Sequence, residues 1–143
     1  MIIGFPAYNP PVTTDTLASE LAREPSWAVV GASAAPHKFG NRIFRALRES
    51  GYRVWGVNPR RPIVDGVATF ASLSELPEVP TVVNFVIPPE ATLAVVREAA
   101  ELGVRAVWFQ PGAESPEAIA TARELGLEVV EDCILVRRVR NPG

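Results

Sequence analysis

Short apolar runs bounded by glycine or proline recur along this chain. The run 27–30 ends at Gly31, and the run 81–87 is apolar almost throughout and leads into Pro88. Runs of this length between such residues are typical of buried β-strands. The pattern predicts strands at 27–30, 53–57, 81–87, 104–109 and 127–130, and a short element at 67–69.

Stretches of helical spacing separate these runs. Phe39, Ile43 and Leu47 fall on one face of a predicted helix, and Gly51 is placed to end it. Ser115 followed by Pro116 is typical of a helix N-terminus, with serine as the cap and proline in the first turn. The predicted helices are 14–23, 39–50, 88–102 with Gly103 as its C-cap, and 116–125, with a helical turn near 72–76.

The 14 prolines lie at the junctions of this pattern. Proline disfavours strand centres and helix interiors, so these positions mark element boundaries. Several of them fall in residues 1–13, which are predicted to form an extended, proline-rich N-terminal segment. That segment would pack either over its own domain or over a second copy of the chain in a homodimer.

Alternation of strands with helices predicts an α/β fold. Strands that are apolar on both faces belong to a parallel sheet covered on both sides. We therefore expect a three-layer, Rossmann-like, doubly wound and mainly parallel sheet of about five to six strands, with helices on both faces. The strand order would reverse between strands 27–30 and 81–87, and ligands of open α/β sheets bind at such a switch point.

The composition fits one folded domain over residues 1–143. A hydrophobic fraction of 48% and a charged fraction of 21% exclude intrinsic disorder. The net charge of −2 offers no basic field to a nucleic-acid backbone, so no nucleic-acid partner is expected. The short basic cluster Arg137-Arg138-Val139-Arg140 does not change this expectation.

No apolar run approaches the roughly 18 residues of a membrane-spanning helix. The chain also begins without the pattern of a signal peptide. Cys133 is the only cysteine, so no intramolecular disulfide can form, which fits a reducing compartment. We expect a cytoplasmic protein without a membrane partner.

The segment Gly31–Gly40 joins the first buried strand to the following helix. Unpaired amides and a partial positive charge at a helix N-terminus favour a bound diphosphate. Gly31 allows a tight turn, Ser33 adds a hydroxyl, and Lys38 adds a cation beside the helix start. The segment is predicted to be an anion-binding loop, although a tight turn that merely closes a packed βα unit has the same pattern.

The end of the second strand argues against NAD. NAD-binding domains carry an acidic side chain there for the ribose diol, whereas this chain has Asn58. Arg60 and Arg61 follow, and two arginines suit a phosphate on the ribose. NADP and coenzyme A (CoA) both carry such a phosphate, and the residues alone do not separate them.

Five segments in order resemble the stand-alone CoA-binding domain family, which is similar to the N-terminal domain of the succinyl-CoA synthetase α subunit. The segments are Gly31-Ala-Ser33…Pro36…Lys38…Gly40, 51–59 (GYRVWGVNP), 86–89 (VIPP), 107–113 (VWFQPGA) and 129–133 (VVEDC). The resemblance spans 27–136. It departs at Asp132, where family members often have arginine before the late cysteine.

The resemblance implies a Rossmann fold that binds CoA or acyl-CoA and has no established catalytic activity. It assigns the CoA diphosphate to the first segment, the adenosine end to the second, the pantetheine arm to the third and the thiol end to the fourth. The implied binding residues are, in that order, Gly31, Ala32, Ser33, Pro36, Lys38 and Gly40; Val57, Asn58, Pro59 and Arg60; Ile87 and Pro88; and Gln110 and Gly112.

No constellation of acid, base or nucleophile is visible in the sequence. His37 has no second titratable partner nearby, and Cys133 is expected to be a buried structural cysteine. Asn84, inside an apolar strand, needs partners and is expected either to support the binding loop or to be satisfied within the sheet. Metal-ligand spacing is missing as well.

Three functions remain open at this stage. The first is non-catalytic binding of CoA or acyl-CoA, as a carrier, sensor or regulatory module. The second is a fragment of an NADP-binding oxidoreductase, disfavoured because no Tyr-Lys proton donor pair is visible. The third is the CoA-binding subunit of a split acyl-CoA ligase that works with a separately encoded partner.

Overall fold

A parallel sheet lies at the centre of the structure, a computed structural model that describes residues 14–137. The strands are β1 (Ser26–Val30), β2 (Arg53–Val57), β3 (Ile63–Val64), β4 (Val67–Ala68), β5 (Val82–Phe85), β6 (Ala106–Phe109) and β7 (Glu128–Glu131). Five of them form the sheet in the order β2-β1-β5-β6-β7, all parallel. The order reverses between β1 and β5, as the sequence predicts.

Helices cover both faces of this sheet. They are α1 (Thr14–Leu21), α2 (Phe39–Glu49), α3 (Thr92–Leu102), α4 (Pro116–Glu124) and the short α5 (Ile134–Arg137). The buried side chains of α1, α2 and α5 share one core cluster, and those of α3 and α4 share the other. The predicted three-layer, doubly wound α/β architecture is therefore confirmed.

The strands are apolar because both of their faces are covered. Every residue of β1 is buried. Ala28 and Val30 pack under α3 and α4, whereas Trp27 and Val29 pack under α1 and α2. Alternate side chains thus enter opposite cores, which explains a continuous apolar run instead of an alternating one.

The predicted short element at 67–69 does not join the central sheet. Its first two residues form β4, which pairs with β3 in a separate antiparallel hairpin. Asp65 and Gly66 make the turn, both with positive φ, and Asp-Gly is a favoured two-residue hairpin turn. A sixth position beside β2 is occupied only by a single parallel bridge between Val57 and Phe70.

Most other elements agree with their predicted bounds to within a few residues. Ser115 caps α4, since its Oγ accepts a hydrogen bond from the Ala118 N–H at 3.2 Å. Gly103 ends α3 in the left-handed conformation, with φ +82°. The predicted helix from Pro88 begins instead as a 3-10 turn, Pro89–Ala91, before α3. Helix α5 was not predicted, and the proline-rich segment 1–13 lies outside the described residues.

An ion-pair cluster ties the amino-terminal edge of the sheet together. Arg105, just before β6, donates to the carboxylates of Glu128, Glu24 and Glu20. The hydrogen bond to Glu128 is the largest cause that raises the pKa of Arg105 above its ordinary value. The cluster joins α1, β6 and β7 at the edge of the sheet opposite the carboxyl ends of the strands.

Among the described helices, none is both long and apolar enough to cross a membrane.

Candidate ligand-binding site

The predicted binding residues converge on the carboxyl edge of the sheet. Gly31 follows β1, Asn58 follows β2, Ile87 lies just beyond β5, and Gln110 follows β6. Ladder hydrogen bonds continue past the strand ends, from the Gly31 N–H to the Val57 carbonyl at 2.9 Å and from the Val86 N–H to the Val30 carbonyl at 2.8 Å. The loops around the switch point are therefore held by the sheet itself.

Close backbone contacts fix the start of the predicted anion-binding loop. A Cβ on Gly31, whose φ is +107°, would lie 2.3 Å from the Val86 carbonyl oxygen. A Cβ on Gly40 would lie 1.9 Å from the Gly31 carbonyl oxygen. Both positions need glycine, because the first turn of α2 packs directly on the β1–α2 turn and that turn packs on the end of β5.

Two asparagines hold the loop from opposite sides. Asn58 Nδ2 donates to the Ala32 carbonyl at 2.9 Å, and Asn41 Nδ2 donates to the Ser33 carbonyl at 2.8 Å. The Asn58 Oδ1 accepts from the Arg60 N–H at 2.9 Å. Asn58 thus clamps the turn after β2 onto the loop, with both ends of its amide engaged.

The N-terminus of α2 keeps unpaired donors. The N–H groups of Phe39 and Gly40 have no hydrogen-bond partner among residues 14–137. The Ser33 hydroxyl accepts from the Ala35 N–H at 3.1 Å, which leaves its own proton available. Lys38 caps the helix with extended backbone and an exposed side chain. These groups provide positive potential and donors at one point of the loop.

A cavity of about 300 Å³ opens between the ends of β5 and β6. We call it the β6 cavity. Its wall carries no charged side chain among the described residues, and the exposed ring of Phe39 contributes to it. The lining residues are Phe39, Val86, Ile87, Pro88, Gln110, Pro111, Gly112, Ala113 and Cys133.

Buried amides stand behind the β6 cavity. Gln110, 4% exposed, accepts through Oε1 from Asn84 Nδ2 at 3.2 Å and from the Ile134 N–H at 2.9 Å. Its Nε2 contacts the sulfur of Cys133 at 3.5 Å. Asn84 is fully buried and its Oδ1 has no partner among the described residues. Asn84 therefore supports the wall of the cavity through Gln110.

A second cavity, of about 370 Å³, opens on the other side of Ile87. We call it the β2 cavity, since it lies over the ends of β1 and β2. Its wall is apolar except for Asn58, Ser72 and Glu98. The lining residues are Val30, Gly31, Val57, Asn58, Pro59, Ala71, Ser72, Ile87, Ala91, Val95 and Glu98.

The two arginines after Pro59 have different surroundings. Arg61 pairs with Glu75 at 3.0 Å. Arg60 is exposed, and its guanidinium has no carboxylate partner within the described part of the chain. Of the two, Arg60 is the cation available beside the β2 cavity.

The structure divides the predicted residues into three groups. Some line a cavity, while Ala32 and Gly40 are buried in the loop and act through their backbone. Ser33, Pro36, Lys38 and Arg60 line neither cavity and lie in the loops that follow β1 and β2. The cavity-lining group consists of Gly31, Val57, Asn58, Pro59, Ile87, Pro88, Gln110 and Gly112.

Sequence reasoning missed several wall residues. Cys133 was expected to be buried, but it is half-buried and lines the β6 cavity, because α5 begins directly after it and holds it at the end of β7. Phe39, the first residue of α2, is a large apolar side chain that is 54% exposed, and its exposure is visible only in the structure. Ser72 directly precedes a second 3-10 turn, Leu73–Glu75, and Val95 and Glu98 belong to α3. No local pattern marks these three residues as cavity wall.

The one histidine of the chain lies in the loop between β1 and α2. His37 is exposed in the loop, and no cluster of three metal-ligating side chains occurs within residues 14–137. What the site offers is two apolar cavities joined at Ile87, with helix-N-terminal donors and exposed cations between and beside them.

Comparison with known proteins gives this site a family context. Residues 25–138 match the family described as CoA binding domain. An uncharacterized protein of Bacillus subtilis, YneT, is 32% identical over 117 residues, which cover 81% of this chain and 87% of that protein. Acetate–CoA ligase [ADP-forming] II subunit alpha of Pyrococcus furiosus is 36% identical over 114 residues, but the match spans only 25% of that subunit.

Solved structures agree with both matches. A hypothetical protein from Pyrococcus horikoshii superposes with a TM-score of 0.83 at 32% identity, covering 92% of this chain and 96% of that one. The dinucleotide-forming acetyl-coenzyme A synthetase 1 of Ca. Korarchaeum cryptofilum superposes with a TM-score of 0.63 at 26% identity, covering 77% of this chain and 26% of that one. The same fold thus occurs alone and as one part of a longer synthetase.

Proposed function

This chain belongs to the CoA binding domain family, and from that premise we propose that it binds CoA or acyl-CoA across the switch point of its sheet. The observation that carries the proposal is the pair of cavities that share Ile87 as a common wall. CoA has an aromatic base at one end, a mostly apolar pantetheine arm at the other and a diphosphate between them. Two apolar cavities on either side of a donor-rich loop match that order.

The diphosphate is assigned to the Gly31–Gly40 loop. The free N–H groups of Phe39 and Gly40 and the Ser33 hydroxyl proton are available to phosphate oxygens. Lys38 adds a charge that has no carboxylate partner among residues 14–137. Backbone donors in this geometry bind phosphate without needing a particular side chain.

The adenosine end is assigned to the β2 cavity. Val57 and Pro59 supply apolar wall, and Asn58 keeps the turn against the loop. Arg60 is the cation for the 3′-phosphate of the ribose. NADP is the alternative that the two arginines left open, and family membership favours CoA over it. Arg61 already pairs with Glu75, so Arg60 alone is assigned to the ribose phosphate.

The pantetheine arm and thiol are assigned to the β6 cavity. Ile87 and Pro88 flank the arm, and Gln110 and Gly112 lie at its far end. An uncharged, largely apolar wall suits an arm that carries two amides, a hydroxyl and a thiol but no charged group. In this arrangement the chain holds the ligand without changing it, as a carrier, sensor or regulatory module.

A ligand series tests this assignment by calorimetry on the full chain. We expect CoA to bind, dephospho-CoA to bind about tenfold more weakly because it lacks the 3′-phosphate, and NADPH to bind more weakly than either. The rise in melting temperature should be largest with CoA, smaller with dephospho-CoA and smallest with NADPH. NADPH binding tighter than CoA, or no heat and no thermal shift with CoA, would overturn the proposal.

A second candidate function is the CoA-binding subunit of a split acyl-CoA ligase. The likeness to the acetate–CoA ligase α subunit favours it, although that likeness covers a quarter of the subunit. Native mass spectrometry of the chain purified from its own cells separates the two functions. A second, different polypeptide in stoichiometric amount supports the ligase subunit, whereas a chain or homodimer that carries only a mass of CoA supports the stand-alone module.

A further inference from the structure

One feature of the β2 cavity conflicts with a polyanionic ligand. Val57, Ile87 and Val95 make its wall apolar, yet the acidic residue Glu98 also lines it. A carboxylate near the phosphates of CoA is electrostatically unfavourable. It must therefore face a part of the ligand that donates hydrogen bonds.

Glu98 is held in one orientation by Ser74. Its Oε2 accepts from the Ser74 N–H at 3.2 Å and from the Ser74 hydroxyl at 2.7 Å. Its Oε1 has no hydrogen-bond partner among residues 14–137. One carboxylate oxygen is thus anchored to the 3-10 turn Leu73–Glu75, and the other remains an unused acceptor.

Ser72 reinforces the same polarity. Its Oγ lies 3.3 Å from the Ser74 Oγ. Because the single hydroxyl proton of Ser74 goes to Glu98, Ser72 is the donor in this contact. Ser72 also lines the β2 cavity, and its oxygen therefore keeps only lone pairs for a ligand.

Glu98 and Ser72 offer only hydrogen-bond acceptors, beside an otherwise apolar wall. This combination fits an aromatic base that carries a hydrogen-bond donor. We propose that Glu98 selects the purine base of the ligand by accepting a hydrogen bond from a 6-amino group in the β2 cavity. A 6-oxo purine would set an oxygen against the carboxylate and be rejected. This inference rests on the proposed function, because it takes the β2 cavity to hold the adenosine end.

The substitution Glu98→Gln gives a distinctive expectation. The two donors of Ser74 need an oxygen, so the new amide keeps its oxygen there and turns its NH₂ group towards the ligand. That group opposes a 6-amino purine and favours a 6-oxo purine. The preference of the site should therefore reverse, which a loss of packing alone would not produce.

The experiment is calorimetric titration of the full chain with CoA and with its deaminated analogue, in which the 6-amino group is replaced by oxygen. We expect the unchanged protein to prefer CoA by about tenfold to a hundredfold, the range for a hydrogen bond to a charged group. Glu98→Gln should reverse that preference. Glu101→Gln is the matched control, since it makes the same change on α3 at an exposed residue outside the β2 cavity.

A second variant keeps the test decisive if Glu98→Gln unfolds. Ser74→Ala leaves the carboxylate in place but removes its shorter anchor, so the preference for CoA should shrink without reversing. Equal affinity of the unchanged protein for both ligands, or full discrimination retained in the variants, overturns the role of Glu98 and leaves CoA binding intact. Failure of the unchanged protein to bind either ligand overturns the proposed function as well.

Discussion

The two cavities on either side of Ile87 are built by different means. The β2 cavity depends on main-chain packing, with Gly31 against the end of β5 and Gly40 against Gly31. The β6 cavity depends on side chains, since Gln110 joins Asn84 to the start of α5. Positions that pack main chain on main chain, as in the β2 cavity, accept few residue types. Positions that hold the β6 cavity through side-chain hydrogen bonds instead require a matching partner residue.

The largest expected effect comes from breaking the backbone contact. Gly40→Ala would put a Cβ 1.9 Å from the Gly31 carbonyl oxygen, and main-chain atoms cannot yield cheaply. We expect the free energy of unfolding to fall by about 3 kcal/mol, measured by urea denaturation, with loss of CoA binding.

Gly112→Ala is the matched control on the β6 side. Gly112 has φ +95°, but a Cβ there meets no heavy atom within 4 Å. Only the backbone conformation is then penalised, by about 1 kcal/mol. Equal losses in the two variants would contradict the contrast between the cavities.

The next effect comes from breaking the side-chain network. Gln110→Leu leaves the buried Asn84 amide and the Ile134 N–H without their hydrogen-bond acceptor. We therefore expect a loss of about 2 kcal/mol in the free energy of unfolding. Adding Asn84→Leu removes one stranded group, so the double variant should lose less than the two single losses combined. Binding of adenosine 3′,5′-bisphosphate should not change, because it would occupy only the β2 side. Additive losses in the double variant would argue against the network.

The smallest effects come from the exposed cations. Lys38→Gln should weaken CoA and dephospho-CoA alike by about fivefold, because it acts at the diphosphate. Arg60→Gln should weaken CoA by a similar factor and leave dephospho-CoA unchanged, because it acts at the 3′-phosphate. Calorimetric titrations of each variant with CoA and with dephospho-CoA, at low and at high salt, measure these losses. Arg97→Gln on α3 is the control. Identical behaviour of the Lys38 and Arg60 variants would show that they do not face different phosphates.

The central sheet and its switch point could be predicted because each buried strand is a continuous apolar run. Gly31, at the end of the 27–30 run, also indicated where the anion-binding loop was predicted to begin. The hairpin of β3 and β4 was missed although Asp65-Gly66 is a hairpin turn, since its strands of two residues are too short for periodicity to register.

The site was only partly predictable for a different reason. Residues that follow strand ends can be inferred from topology, which gave Gly31 and Asn58, whereas the family resemblance gave Gln110. Glu98 reaches the β2 cavity because α3 packs on the 3-10 turn that carries Ser74, and such a tertiary contact leaves no local pattern. Asn58 was expected at the adenosine end of the ligand, but its hydrogen bonds to the Ala32 carbonyl and the Arg60 N–H are visible only in three dimensions.

Ile87, the wall that the two cavities share, has a thermodynamic consequence. A ligand that fills both cavities is bound as two tethered fragments, so seating one half raises the effective concentration of the other. Each fragment alone binds weakly, whereas the intact molecule gains from the tether without any additional contact. A domain arranged in this way would bind whole CoA in strong preference to adenine nucleotides that share only one of its halves.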